Sequence, residues 1–187
     1  DLSAVAALSD ARQRNLLRHW LAPMSRMPDS DHWAGWYDLR DAAADATPIW
    51  KLADGELRRA EGRLWWLSGD WLKPPQPLGL LNAALADSVE LPGNGRVNLS
   101  GELPQGHWHL RYRVGGESLQ VPGRGRRDLK RLLNEMRVPP FVRSRLPLLF
   151  DGDELMAVAN LTQAPGIEAS GVRLHWSPPI GAQGLSW

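Results

Sequence analysis

Positively charged side chains are concentrated in one short segment of the chain, between Pro122 and Pro147. The segment contains eight basic and two acidic residues, so its net charge is +6. Since the whole chain of 187 residues carries +1, the remainder carries −5. A local excess of one sign attracts the opposite sign, and nucleic acids are the commonest polyanions. The segment therefore predicts a phosphate-binding surface, with a solvated arginine-rich face as the alternative.

An amphipathic helix from about Arg126 to Arg137 is predicted to position these charges. Its apolar stripe comprises Leu129, Leu132, Leu133 and Met136. Its opposite face comprises Arg127, Lys130, Arg131 and Asn134. A basic face backed by an apolar stripe aims guanidinium groups at phosphates. The predicted RNA-contacting residues are Arg124, Arg126, Arg127, Lys130, Arg131, Arg143, Arg145, Arg111 and Arg113.

A second pattern lies just upstream, where residues alternate from His107 to Val114 as in a strand. Trp108, Leu110, Tyr112 and Val114 share one side, and His107, His109, Arg111 and Arg113 share the other. Two imidazoles on one face could converge on a metal, but the arginines that continue the face repel a divalent cation. We expect no metal here, which leaves a solvated polar face or an RNA-facing strip.

Motifs for catalysis are missing from the sequence. There is no cysteine, no Gly-x-Ser-x-Gly elbow and no Walker-type phosphate loop. Gly123-Arg124-Gly125 is interpreted as a turn. The ten tryptophans suggest base stacking, but their positions on predicted helices and strands favour core packing. We therefore predict no catalytic residue and no cofactor bound by this chain.

The predicted fold class is α+β, with two small domains that each pack helices on short antiparallel strands. The first domain spans residues 1–72, a linker spans 73–94, and the second domain spans 95–187. Glycine-containing dipeptides predict turns at Asp54-Gly55, Glu61-Gly62, Gly115-Gly116 and Asp151-Gly152. The linker is expected to hold a short helix near Leu80–Ala86 and a flexible Gly93-Asn94-Gly95.

Length and composition set the remaining expectations. No window approaches 18 uncharged apolar residues, so no membrane span is predicted. The absence of cysteine fits a reducing compartment, and we expect a cytoplasmic location. Because the chain begins at Asp1 without an initiator Met, we expect a piece of a longer protein.

Several runs of residues, in this order, carry a family resemblance. They are Leu8–Asn15, Leu17–Leu21, Arg58–Leu67, Asp128–Glu135, Val138–Arg143, Leu146–Leu149, Gly152, Leu155 and Ala157-Val158. Together they resemble the central and C-terminal domains of the tRNA(Ile)-lysidine synthetase family. Phe141 stands where that family often has Trp, and Arg137 and Asn160 stand where it commonly has Gly.

The resemblance implies a reaction for the complete enzyme. ATP, with Mg, adenylates the wobble cytidine of the isoleucine tRNA with anticodon CAU, and the amine of lysine then displaces AMP to give lysidine. The family's nucleotide-binding loop, Ser-Gly-Gly-x-Asp-Ser, does not occur in this chain. The resemblance therefore implies the tRNA-binding part of the ligase, inactive alone. A different kind of function is the alternative: a stand-alone protein-interaction or oligomerisation domain. The sequence is also compatible with a homodimer.

Overall fold

The computed structural model describes residues 1–26, 29, 31–43, 45–78 and 88–183 and divides the chain into two compact units. The first unit comprises Asp1–Lys73 and the C-terminal segment from Ile180, and the second comprises Pro74–Pro179. Helices and antiparallel sheets occur in both, so the predicted α+β class is confirmed. No helix within the described ranges is long and apolar enough to cross a bilayer.

The secondary structure consists of short helices and short strands, which follow one another in groups along the chain. The α-helices are α1 (Leu2–Ala6), α2 (Asp10–Leu21), α3 (Ala34–Asp41), α4 (Leu129–Glu135), α5 (Pro140–Arg143) and α6 (Pro165–Ala169). The strands are β1 (Ile49–Leu52), β2 (Gly55–Ala60), β3 (Arg63–Leu67), β4 (Ser88–Glu90), β5 (Arg96–Ser100), β6 (Trp108–Arg111), β7 (Ser118–Val121), β8 (Gly125–Asp128), β9 (Leu148–Asp151), β10 (Glu154–Val158), β11 (Thr162–Gln163), β12 (Arg173–Ser177) and β13 (Ala182–Gln183). Two 3-10 helices span Asp31–Trp33 and Gly69–Leu72.

The sheet of the first unit has the order β1-β2-β3-β13. The predicted turn at Glu61-Gly62 is confirmed: both residues have positive φ, 52° and 71°, which matches the twist of a two-residue hairpin. The other predicted turn lies one residue earlier than expected, at Ala53-Asp54. Gly55 is already in β2, where a Cβ atom would lie 2.4 Å from Cζ2 of Trp66. Close cross-strand packing, rather than turn geometry, therefore requires this glycine.

The core of the first unit is built mainly from tryptophan and leucine. Its largest fully buried side chains are Trp33, Trp36, Trp66, Leu17, Leu21, Leu39, Leu57 and Leu67. Of the nine tryptophans that the structure describes, eight are buried, as the core-packing interpretation predicted. The hydrophobic effect of burying such large aromatic surfaces dominates the stability of a unit this small.

One polar residue takes a core position on α2. Gln13 is buried, whereas the apolar Leu16 on the same helix is 44% exposed. The Gln13 amide donates to the Leu8 carbonyl over 2.7 Å and accepts from the Trp36 indole and the Arg40 guanidinium, each over 3.0 Å. A buried amide is tolerated when its hydrogen bonds are made, and here they tie α2 to α3.

The second unit contains two sheets. One has the order β6-β9-β10-β7-β8 with β11 beside β10, and the other has the order β12-β5-β4. The prediction that Gly115-Gly116 joins two paired strands is wrong, because β9 and β10 lie between β6 and β7. β7 runs parallel to β10 instead, with Leu119 opposite Leu155. The hairpin of β9 and β10 is confirmed, with its turn at Gly152-Asp153.

The domain boundaries differ from the predicted ones at both ends of the second unit. Residues 88–90 of the predicted linker form a strand of its smaller sheet, and residues 182–183 pair with β3 of the first unit. The predicted helix near Leu80–Ala86 lies outside the described residues. A composition that is rich in Pro and Gly therefore led residues 88–90, which form a strand, to be assigned to a linker.

The tripeptide Gly93-Asn94-Gly95, predicted as flexible, is a buried junction of the second unit. Asn94 is fully buried, and its side-chain amide donates to the Arg145 carbonyl over 2.7 Å and to the Tyr112 hydroxyl over 3.0 Å. The Asn94 carbonyl accepts from the Trp176 indole over 2.8 Å. A Cβ atom on Gly95 would lie 2.2 Å from the Ser177 carbonyl oxygen. Gly95 therefore allows close backbone approach, whereas Gly93 has a left-handed φ of 67° and open space where a Cβ atom would lie.

Helix α4 ends in a Schellman motif. The amide of Val138 donates to the Leu133 carbonyl and that of Arg137 to the Asn134 carbonyl, each over 3.0 Å. Met136 is the C-cap and is 40% exposed, so its predicted place in the apolar stripe is wrong. Arg137 takes the left-handed position with φ of 53°, which normally favours glycine.

Replacing Arg137 with glycine is expected to stabilise the second unit by about 0.5–1 kcal/mol, because glycine adopts a left-handed φ without steric cost. Arg137→Ala is the matched control, since it also removes the charge but keeps the Cβ atom. Denaturant unfolding of both variants measures the effect. An equal gain in the two variants would show that charge, rather than backbone strain, limits stability here.

Candidate nucleic-acid interface

Six of the nine predicted RNA-contacting residues lie on or beside β8, α4 and α5, which follow one another along the chain. They are Arg124, Arg126, Arg127, Lys130, Arg131 and Arg143. All are exposed except Arg143, which is half-buried. We call these six residues the basic surface. A concentration of cations on contiguous elements is the arrangement that phosphate binding requires.

The start of this surface is a strand and not, as predicted, a helix. Gly123 and Gly125 have φ of 68° and 72° and reverse the chain, so that residues 125–128 pair with β7. Arg126 and Arg127 therefore lie on β8, at the edge of the larger sheet, and successive side chains of a strand point to opposite sides. The Arg126 guanidinium donates to the Ser118 hydroxyl over 2.7 Å.

Helix α4 carries the centre of the surface. Asp128 is its N-cap and accepts from the backbone amide of Arg131 over 2.9 Å. The helix buries Leu129, Leu132 and Leu133, which leaves Lys130 and Arg131 exposed on the other side. This part of the predicted amphipathic pattern is confirmed.

Two arginines are held against the C-terminal end of α4. The Arg124 guanidinium forms an ion pair of 2.7 Å with Glu135, and Arg143 donates to the Val138 carbonyl over 2.7 Å and to the side chain of Asn134. These contacts orient both guanidinium groups and partly occupy their donors. Within the described part of the chain, Arg127, Lys130 and Arg131 form no ion pair, so their charges are the most available to a ligand.

Arg145 does not belong to this surface, and its prediction as an RNA-contacting residue is corrected. It is only 3% exposed, and its guanidinium donates to the Gly93 carbonyl over 3.1 Å and to Oδ1 of Asn94 over 3.3 Å. The sequence pattern could not separate it from its neighbours, because the buried junction that it serves lies about 50 residues upstream.

Arg111 and Arg113 also lie apart from the basic surface. Four strand spacings separate β6 from β8 in the larger sheet, or about 19 Å at about 4.8 Å each. The Arg111 guanidinium lies 3.6 Å from the centre of the Phe150 ring, and Arg113 pairs with Glu117 over 3.4 Å. Both cations are half-buried and engaged by neighbouring side chains.

The strand prediction that included these residues extends too far. β6 ends at Arg111, and Val114 is 88% exposed. The chain turns because the Glu117 carboxylate accepts from the amides of Val114 and Gly115, over 2.6 and 2.7 Å. His109 stacks on Phe150 with ring centres 5.6 Å apart. In the ranges that the structure covers, no three His, Asp or Glu residues are grouped to hold a metal ion.

A second group of cations, on α2 of the first unit, was not among the predicted site residues. The guanidinium of Arg18 lies 5.2 Å from the centre of the Trp33 ring, and that of Arg14 donates to the Tyr37 hydroxyl over 2.6 Å. Hydrogen bonds from Arg40 hold the pKa of the neighbouring Asp41 carboxyl below its usual range. The i, i+4 spacing of the two α2 arginines, which places their side chains on the same face of a helix, could have predicted this group from the sequence.

Two models of one protein family match the chain. A model described as the TilS substrate binding domain matches residues 1–65, and one described as the TilS substrate C-terminal domain matches residues 108–176. Each match falls inside one structural unit. The second match includes β8, α4 and α5 and therefore most of the basic surface.

Curated relatives agree with both models. The chain is 60% identical to the tRNA(Ile)-lysidine synthase of Pseudomonas fluorescens over 99% of its own length and 42% of the relative's. Identity is 56% to that of Pseudomonas aeruginosa, with 99% and 41% covered, and 31% to that of Shigella flexneri, with 96% and 44% covered. The chain thus spans about two fifths of the length of these relatives. With both of its units matched and these identities spread over nearly all its residues, the chain belongs to the tRNA(Ile)-lysidine synthase family.

Proposed function

We propose that this chain is the tRNA-handling part of an enzyme that attaches lysine to the wobble cytidine of isoleucine tRNA with anticodon CAU. The observation that carries the proposal is the basic surface, which lies in the unit matched by the family's C-terminal domain. Its three least engaged cations, Arg127, Lys130 and Arg131, suit phosphate contacts, and tRNA is the polyanion that the relatives' name specifies.

In this proposal the chain binds the substrate and does no chemistry. The complete enzyme uses ATP, with Mg, to adenylate the cytidine, and the amine of lysine then displaces AMP. The sequence contains no phosphate loop that would bind the ATP for these steps. A tRNA substrate also supports the expected cytoplasmic location of the enzyme.

Binding would contribute by positioning. An A-form RNA helix hides its base edges in a deep major groove, so a basic protein surface reads mainly its shape, its phosphates and its 2′-hydroxyl groups. Holding the tRNA body in one orientation makes attack at one nucleotide effectively intramolecular, and this can supply a large share of a rate. The six cations of the basic surface provide such a hold without sequence-specific contacts.

The chain alone is expected to bind a transcript of this tRNA but to release no AMP when ATP, Mg and lysine are added. Gel-shift titration measures the binding, and thin-layer chromatography of labelled ATP measures the AMP. Heat-denatured chain is the control for contaminating activity. AMP release that copurifies with the folded chain would contradict the proposal that this chain binds tRNA but does not catalyse the reaction.

A further inference from the structure

A cavity of about 410 Å³ lies in the second unit, outside the basic surface. Its walls come from β10, β11, α6 and β12, and Pro122 closes one side. We propose that it binds an unpaired guanine nucleotide of the RNA. The inference rests on the proposed function, because it takes the occupant to be part of a bound RNA. The volume lies within the usual range for small-molecule sites, about 300–1,000 Å³.

The walls of the cavity are fixed by hydrogen bonds. The amide group of Asn160 donates to the Trp176 carbonyl and accepts from the Trp176 amide, each over 2.7 Å. The side chain of Gln163 donates to the Val172 carbonyl over 3.0 Å. Both bonds join the segment around β11 to β12, so the cavity is preformed and a ligand loses little affinity to ordering it.

The lining combines apolar and polar residues. Pro122 and Leu161 are half-buried and offer apolar contact to a base, while Glu168, Arg173 and His175 are exposed around the cavity. Sites for small organic ligands combine apolar contact with a few polar groups that fix the orientation of the ligand.

The carboxylate of Glu168 selects the base. It only accepts hydrogen bonds, and it forms no ion pair within the described residues. Guanine presents two adjacent donors, N1–H and the 2-amino group, which match both oxygens of a carboxylate. Uracil presents one donor between two carbonyl oxygens, which a carboxylate repels. Arg173 and His175 can then meet the phosphate.

The position of the cavity favours a nucleotide within an RNA strand over a free one. Pro122 lines the cavity, and Arg124 of the basic surface follows it by two residues. Two residues of chain span at most about 7 Å, so the backbone of Arg124 lies close to the cavity wall, within reach of a strand whose base enters it. Unpaired nucleotides, whose base edges are free, are the elements of RNA that proteins read specifically.

Calorimetric titration of the chain with GMP and IMP tests the base selection. IMP lacks the 2-amino group, so it is expected to bind at least about 5-fold more weakly than GMP. Glu168→Gln should weaken GMP binding and remove the difference between the two nucleotides. Glu154→Gln, at an exposed carboxylate on β10 outside the cavity, is the matched control and should change neither.

A second experiment tests whether the cavity binds a nucleotide within an RNA strand or a free nucleotide. A short oligoadenylate with one central guanosine should bind more tightly than GMP, because its flanking phosphates reach the basic surface. Tighter binding of GMP than of the oligonucleotide would overturn the RNA assignment in favour of a free nucleotide. Equal affinity for GMP and IMP, or no binding of either at millimolar concentration, would overturn the site itself. If the unaltered chain did not bind tRNA, that result would instead overturn the proposed function.

Discussion

Arg145→Ala is expected to lower the free energy of unfolding of the second unit by about 3 kcal/mol, or its Tm by about 10–20 °C. The guanidinium is buried and donates to the Gly93 carbonyl and the Asn94 side chain. Its removal leaves the buried Asn94 side chain and the Gly93 carbonyl without that donor and opens a cavity beside Asn94. Calorimetry or denaturant unfolding measures the loss.

Arg131→Ala is the matched control for this experiment. It removes the same charge from an exposed position on α4 and should change stability by less than about 0.5 kcal/mol. Equal effects of the two substitutions would contradict the buried junction around Asn94. Arg145 would then return to the group of surface arginines in which the sequence pattern placed it.

Replacing Arg127, Lys130 and Arg131 together with alanine is expected to weaken tRNA binding by about 10- to 100-fold at moderate salt, because three phosphate contacts are lost. The folded state should survive, since all three side chains are exposed and the leucines of α4 remain. Gel-shift or filter-binding titration measures the affinity, and circular dichroism verifies the fold.

Lys51, Arg63 and Arg96 provide the control, because they are three exposed cations outside the basic surface and their replacement changes the net charge equally. That variant should bind within about 3-fold of the unaltered chain, as expected when only the long-range field changes. If both triple variants lost affinity to the same extent, binding would depend on overall charge rather than on β8 and α4.

Patterns with a local cause were predictable from the sequence. The stripe of Leu129, Leu132 and Leu133, the turn at Glu61-Gly62 and the hairpin around Gly152 each depend on residues a few positions apart. Helix periodicity and turn chemistry act over that range. The α+β class followed from these elements together.

Features that depend on distant partners were not predictable in the same way. Gly93-Asn94-Gly95 has the composition of a linker, but partners from 18 to 82 residues away bury Asn94. Strand β8 has too few residues to show a period, and its pairing with β7 is decided by Gly123 and Gly125. Tertiary context overrides local propensity in both cases.

The candidate site also combines features that local sequence predicts with features that depend on distant residues. Charge counting located the basic segment, and six of its eight cations are exposed, with Arg143 half-buried beside them. Counting could not recognise Arg145 as buried, nor detect that Phe150 and Glu117 engage Arg111 and Arg113. The cavity beside Glu168 has no sequence signal, because its walls come from four separate elements.

The salt dependence of tRNA binding is the most direct test of the claim that the basic surface contacts phosphates of the tRNA. The affinity of the unaltered chain for the isoleucine tRNA transcript would be measured between about 50 and about 200 mM salt. If between three and six cations of the basic surface contact phosphates, the slope of log affinity against log salt should be about −2 to −5, at 0.7–0.9 per contact. A slope near zero, or no binding at the lowest salt, would contradict the claim and favour a protein-interaction domain with solvated arginines.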